Sequence, residues 1–168
     1  MKFRDLTAED IECRVQSVKK NGLVLLLYKN ARTDMQILDE TVGAENWQNK
    51  FYEHKGILFC SLGIKCGDEW VWKDDAGVES NTEAEKGNAS DARKRAGFAW
   101  GIGRSLYSSP FIWVSADKCN IDNNKCYDRF SVEKIRIEDG KITGLSIFND
   151  TKGVRAFVWT KETKKEGK

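Results

Sequence analysis

The 168-residue sequence predicts an α+β fold in which an antiparallel three-stranded β-meander packs against a long helix, with an additional β-hairpin or meander toward the C-terminus. Three observations carry this expectation. Strand-like runs between Trp47 and Lys73 are separated by tight turn signals, an alanine-rich run with helical periodicity follows them, and a second series of strand-like runs begins at Cys126. Aromatic residues make up 11% of the chain and six of them are tryptophans, more large apolar surface than a disordered chain carries. A chain of this length buries a core without a disulfide or metal staple.

The elements follow in order. Leu6 to Lys19 opens with Thr7 and Asp10, a capping-box-like pair in which the short acid replaces glutamate. Ile11, Val15 and Val18 then recur at helical spacing, which predicts a short amphipathic helix. Asn21-Gly22 marks a turn, and the apolar run Leu23 to Tyr28 suits a buried strand. Met35, Leu38 and Val42 give a second short helix over Arg32 to Val42, ended by Gly43. Trp47 to His54, Ile57 to Cys66 and Glu69 to Lys73 read as three strands, turned at Lys55-Gly56 and Gly67-Asp68.

The meander needs a partner layer, and the segment from Thr82 to about Trp100 supplies one. At about 100° per residue, Glu85, Ala89, Ala92, Ala96, Ala99 and Trp100 share one stripe, whose alanines let the helix backbone lie close to the sheet. Ser80 or Thr82 is placed to cap this helix, and Glu83 and Glu85 suit its first turn. Gly101, Gly103 and Pro110 break it, and Ser115 to Lys125 reads as a polar loop. Cys126 to Glu138, Lys141 to Phe148 and Val154 to Thr160 form the second meander, turned at Asp139-Gly140 and at Asn149 to Gly153. With no repeat and no separating linker, residues 1–160 are expected to act as a single domain and residues 161–168 as a basic flexible tail.

Composition narrows the function classes. The net charge is only +2, so a nucleic-acid binder has to be recognised from where its charges lie. The five cysteines, Cys13, Cys60, Cys66, Cys119 and Cys126, are irregularly spaced and lack the two-residue knuckle of a zinc site. No leader-like apolar run opens the chain and no stretch is long enough to cross a membrane, which suits a cytoplasmic protein with reduced thiols.

No GxxxxGK[ST] loop is present and no cofactor is expected. His54, the single histidine, has no nucleophile context and reads as a surface or strand-edge residue. Asp74, Asp75, Glu79, Glu83 and Glu85 raise the alternative of a metal-dependent nuclease. Consecutive strand residues point apart, however, and Glu83 and Glu85 lie about 200° apart on a helix, so neither pair converges.

The strongest basic cluster within an ordered element is Asp91-Ala-Arg-Lys-Arg95. Charges fixed on a helix meet successive phosphates at low entropic cost. Lys86, Arg93 and Arg104 share a flank of this helix, and Lys94 and Arg95 lie on its far side. Trp47, Phe51, Tyr52, Trp70, Trp72, Tyr107, Phe111 and Trp113 are candidates for base stacking, most of them expected in the core or at an interface; Tyr107 and Phe111, beside glycine-permitted turns, stand out.

The segment Trp70 to Trp113 resembles the annealing domain of the Rad52 family, and most closely its phage and bacterial branch of single-strand annealing proteins. The matching features are Ala84 to Ala96, with Glu85-Lys86, Ala89, Asp91 and Lys94-Arg95-Ala96, then the exit Trp100-Gly101-Ile102-Gly103 with Leu106-Tyr107. Upstream, Cys13-Arg14-Val15, Val42 to Trp47 and the hairpins through Val71 and Gly77 follow in the family order, so the resemblance covers about residues 5 to 113.

It implies a Rad52-type domain with subunits side by side in a homo-oligomeric ring or open spiral. Single-stranded DNA would lie in a positive outer groove with its bases presented for pairing, without nucleotide hydrolysis, in recombination or break repair. The family's phosphate-contacting Lys-Arg pair falls on Lys94 and Arg95, and Arg93, Lys86 and Arg104 are further DNA-binding candidates. A single-stranded DNA-binding protein is a candidate partner, and recruitment through a long tail of the eukaryotic kind is not expected. The remaining class is a non-catalytic oligomeric interaction protein whose helix charges serve subunit packing.

Overall fold

A computed structural model describes residues 1–77 and 84–162, with backbone alone over 84–87. The expected caps Ser80 and Thr82, the acids Glu79 and Glu83, the side chains of Glu85 and Lys86 and residues 163–168 of the basic tail lie outside the described residues. In chain order the elements are β1 (Glu12–Lys19), β2 (Gly22–Tyr28), α1 (Ala31–Val42), β3 (Trp47–His54), β4 (Ile57–Cys66), β5 (Glu69–Ala76), α2 (Ala84–Trp100), β6 (Ile112–Ser115), β7 (Phe130–Glu138), β8 (Lys141–Asn149) and β9 (Val154–Thr160). They fall into two compact units, one built from Met1–Asp5 and Lys29–Arg104, the other from Leu6–Tyr28 and the chain from Ser105 onward.

The first unit holds the antiparallel meander β3-β4-β5 with α1 and α2. Lys55 and Gly56 turn the first hairpin with φ of 52° and 76°, the left-handed pair that a two-residue connection requires. Alternation along β4 sends Cys60, Leu62 and Ile64 to one face, where all three are fully buried, and α2 covers them with Ala92 and Ala96, whose side chains are equally buried. The small methyls let the helix sit close enough for the Trp100 indole to donate to the carbonyl of Leu62 at 2.9 Å. The expected meander-on-helix layer and its alanine stripe are therefore present, and β5 extends past Lys73 to Ala76.

α1 starts at Asn30, whose Oδ1 accepts from the amides of Arg32 and Thr33 at 2.9 and 3.0 Å. It stops at Gly43, which takes a φ of 86° and donates its amide to the carbonyl of Asp39.

The second unit is a six-stranded antiparallel sheet in the order β6-β2-β1-β7-β8-β9. Its end strands β6 and β9 come into contact, so the sheet curls into a near-closed barrel around Leu23, Leu25, Ile112, Val114, Ile142, Leu145 and Ile147. The C-terminal meander expected from the sequence is present, but it is part of this larger barrel, and its first strand begins at Phe130, later than the expected Cys126.

The expected helix over Leu6 to Lys19 is instead a 3-10 turn, Ala8–Asp10, followed by strand β1. The capping pair is real: the Thr7 amide donates to Asp10 Oδ2 at 2.7 Å, but it closes only that one turn. The register of β1 on β2 slips between Val15 and Ser17, a bulge that inserts one residue. Val15 opposite Leu25 and Val18 opposite Leu23 thereby share a face despite a spacing of three, so the bulge reproduces helical periodicity within a strand. β-branched side chains and pairing on both edges complete the case for a strand.

Candidate nucleic-acid interface

Arg93, Lys94 and Arg95 are successive residues of α2 and leave it in three directions. The Arg93 guanidinium lies over the Phe51 ring, 5.6 Å from its centroid, and its Nη1 approaches Met35 Sδ at 3.4 Å. Its Nε is buried without a hydrogen-bond acceptor, so Arg93 spends much of its surface bridging α2, α1 and β3.

Lys94 is half-buried, with Nζ 4.0 Å from Asp91 one helical turn earlier. Arg95 is more open, and its Nε meets Asp75 of β5 at 3.3 Å. It also lines a cleft of about 360 Å³ with Ile57, Leu58, Gly77 and Asn88. Partly exposed surface pairs of this kind contribute about 0–1 kcal/mol and exchange readily for another anion.

Arg104 is exposed, but its guanidinium is turned back onto the end of α2, donating to the carbonyl of Phe98 at 2.8 and 3.0 Å and to that of Ala99 at 3.0 Å. Lys73 of β5 joins it there, donating to the Ala99 carbonyl at 3.1 Å with its ammonium over the Trp100 ring. The two cations satisfy carbonyls that the helix end leaves open and oppose its dipole. The sequence pattern did not single out Lys73, because its target appears only once β5 is laid against α2.

Beneath α2 lies a second feature that sequence spacing did not reveal. Lys29 and Asp34, each about 1% exposed, form an ion pair, and the Lys29 ammonium also reaches the Lys94 carbonyl at 3.4 Å and the Phe98 ring at 4.2 Å. Burial pushes the Asp34 carboxyl up to about 6 and the Lys29 ammonium down, each only partly offset by the other's charge. Asp34 Oδ2 has no hydrogen-bond partner and faces Gly97, where an added Cβ would come within 3.0 Å of it.

The model of the Rad52/22 family double-strand break repair protein matches residues 61–125. That stretch takes in most of β4, all of β5 and α2, and the exit through β6, and so includes Arg93, Lys94, Arg95, Arg104, Asp75 and Lys73. No curated protein and no solved structure matches the chain.

Of the carboxylates that suggested a nuclease, the two with described side chains, Asp74 and Asp75, are separated by the sheet. Asp74 accepts from the hydroxyls of Tyr52 and Ser61 on one face, and Asp75 meets Arg95 on the other. Among the described residues no three His, Cys, Asp or Glu side chains gather as a metal site, and no helix is long and apolar enough to cross a membrane. All five cysteines are free; burial pushes the Cys60 thiol up to about 11 and the Cys13 thiol to about 12, away from nucleophilic use.

Of the aromatic candidates, Phe51 lies under Arg93, and the Trp47 indole donates to Asp39 at 2.6 Å. Trp113 belongs to β6 of the barrel unit, and Tyr107 and Phe111 are exposed. Tyr52, Trp70 and Trp72 lie on the meander face turned away from α2.

Proposed function

We propose that the protein binds single-stranded DNA and anneals complementary strands without a nucleotide cofactor or catalysis, in recombination or break repair, with residues 1–160 working as one annealing domain in a ring or open spiral. The observation that carries this reading is the position of Lys94 and Arg95. They sit on a helix clamped to a sheet, inside the stretch matching the Rad52/22 family, and each is paired only with a surface carboxylate, at 4.0 and 3.3 Å.

Such pairs yield to a phosphate at little cost, whereas the frame beneath them is fixed by Ala92, Ala96, Trp100 and Lys29. Arg93 and Arg104 act in this reading first as struts, of the phenyl ring below α2 and of its C-terminal carbonyls, and reach DNA only with their remaining donors. Lys86, whose side chain lies outside the described residues, stays a further DNA-binding candidate in this reading. Placement in the phage and bacterial branch, and recruitment by a single-stranded DNA-binding protein, belong to the same reading.

The test is fluorescence-monitored annealing of two complementary oligonucleotides without ATP, comparing the wild type with Lys94→Ala/Arg95→Ala after circular dichroism and light scattering have matched their fold and assembly. Rapid annealing lost in the variant is expected. No acceleration by a folded wild type would refute annealing, and equal rates would move the DNA to other residues.

One observation favours a second reading. Arg93, Arg95 and Arg104 all have partners within their own unit, as expected where these charges hold the unit together and do not meet DNA, and such a non-catalytic protein would show no salt-sensitive DNA binding.

A further inference from the structure

A lysine and an aspartate that leave water together gain little from it: their attraction barely offsets the desolvation of both, and an apolar pair of similar volume is commonly as stable. Lys29 and Asp34, both fully enclosed beneath α2, are such a pair. Stability does not account for their presence, and the contacts they make point to another role.

Those contacts converge on one turn of α2. The Lys29 ammonium reaches the carbonyl of Lys94 at 3.4 Å and, one turn further on, lies 4.2 Å from the centroid of the Phe98 ring. The charges of Lys94 and Arg93 also act on the Asp34 carboxyl and favour its ionised form. Asp34 is thus an acid that offsets the mutual repulsion of Lys29, Arg93 and Lys94.

Gly97 is an independent observation. Glycine inside a helix is less favourable than alanine, and α2 carries alanine at Ala84, Ala89, Ala92, Ala96 and Ala99. At Gly97 an added Cβ would come within 3.0 Å of Asp34 Oδ2 and 3.5 Å of Lys29 Nζ. The helix forgoes a methyl group at this one position, and the ion pair fits directly under its backbone.

We propose that Lys29 and Asp34 are positioning residues, which fix the Lys94 turn of α2 in the place from which the Lys94 side chain meets a phosphate. The inference rests on the DNA-binding reading of Lys94 and Arg95. Neither Lys29 nor Asp34 touches DNA, since both are enclosed by the protein.

Two variants of the full chain test it. Lys29→Met/Asp34→Leu removes one positive and one negative charge, so the net charge is unchanged and a loss of affinity cannot come from it. Gly97→Ala changes no charge and pushes the pair aside with its methyl group; it carries the test where the double variant fails to fold. Both are compared with the wild type by native-state hydrogen exchange and by oligo(dT) binding over a range of salt concentrations. The Phe98 amide, which donates to the Lys94 carbonyl in the helical ladder, is expected to exchange about ten-fold faster in each variant, the equivalent of one charge-assisted hydrogen bond. Affinity for oligo(dT) is expected to fall by about five- to twenty-fold. The slope of log affinity against log salt should shrink by about 0.7, one phosphate contact. A merely structural role would lower the folded fraction and leave that slope as it is.

Unchanged exchange at Phe98 in the folded variants overturns the proposal without reference to DNA. Faster exchange with wild-type affinity and slope also overturns it, because the pair then holds the helix but not the phosphate ligand. Loss of binding in Lys94→Ala/Arg95→Ala beside wild-type slopes in both pair variants upholds the groove and removes the role of the pair. A wild type without salt-dependent oligo(dT) binding refutes the DNA reading itself, and this role with it.

Discussion

Lys29 and Asp34 neutralise each other beneath α2, and the same ammonium reaches the backbone of Lys94, so the turn that carries the candidate phosphate ligands rests on a buried ion pair. A buried pair costs desolvation on both sides, and removing one partner strands the other. Lys29→Ala or Asp34→Ala alone is therefore expected to destabilise the fold by about 3–5 kcal/mol, whereas the double replacement Lys29→Met/Asp34→Leu should lie within about 1–2 kcal/mol of the wild type or above it. Urea denaturation of the three variants measures this directly, and additive losses in the double variant would contradict it.

The same pair gives a pH dependence of known sign. Burial raises the Asp34 carboxyl from its ordinary 3.8 to about 6, so the folded protein binds its proton more tightly than the unfolded chain does. The stability this contributes is complete below 3.8 and is lost as pH rises through about 6. Asp34→Asn keeps a neutral side chain throughout, so its denaturation midpoint, whatever the offset, should climb relative to the wild type between about pH 4 and pH 7. Lys29, Lys94 and Arg93 lie around the carboxyl, and Asp34 is the group to which this titration is assigned. A constant difference between the two proteins would remove it from that role.

Asp75 holds Arg95 in the candidate groove, and Asp75→Asn should release it. Affinity for single-stranded DNA at low salt is expected to rise by about two- to five-fold, the equivalent of one exposed pair. Lys94→Ala/Arg95→Ala should do the reverse and lower the slope of log affinity against log salt by about 1.4, from two phosphates at about 0.7 each. A slope identical to that of the wild type would show that neither side chain meets a phosphate.

Ala96 has no accessible surface at the contact of α2 with β4. Ala96→Leu adds volume where none is free and should lower stability by about 1–3 kcal/mol, read as a lower Tm. An unchanged Tm would mean that helix and sheet are packed less closely than the Trp100–Leu62 hydrogen bond requires.

What the sequence disclosed and what it concealed follow from one physical distinction. The meander, α1 and the alanine stripe were legible because their signals are local: turn residues, capping groups and a period. Arg93, Lys94 and Arg95 were legible as a cluster for the same reason. β1 was misread because its bulge imitates helical spacing, and the joining of the C-terminal meander with β1, β2 and β6 depends on pairings that no local pattern encodes. The partners of the candidate site, Asp75 for Arg95 and Lys29 for the turn at Lys94, are likewise set by sheet register and layer packing.

The barrel unit is interrupted in sequence: β1 and β2 precede every helix and strand of the meander unit, and Glu12 of β1 must wait for Ser131 of β7. During synthesis the hairpin β1-β2 therefore emerges first and stays without its neighbours β6 and β7, with both outer edges open, while the meander and α2 are made and free to collapse on each other through contacts close in sequence. The barrel can close only when β9 has left the ribosome. The interval between those two events is when this chain is most exposed to mispairing at a strand edge, and its length is set by the speed of translation.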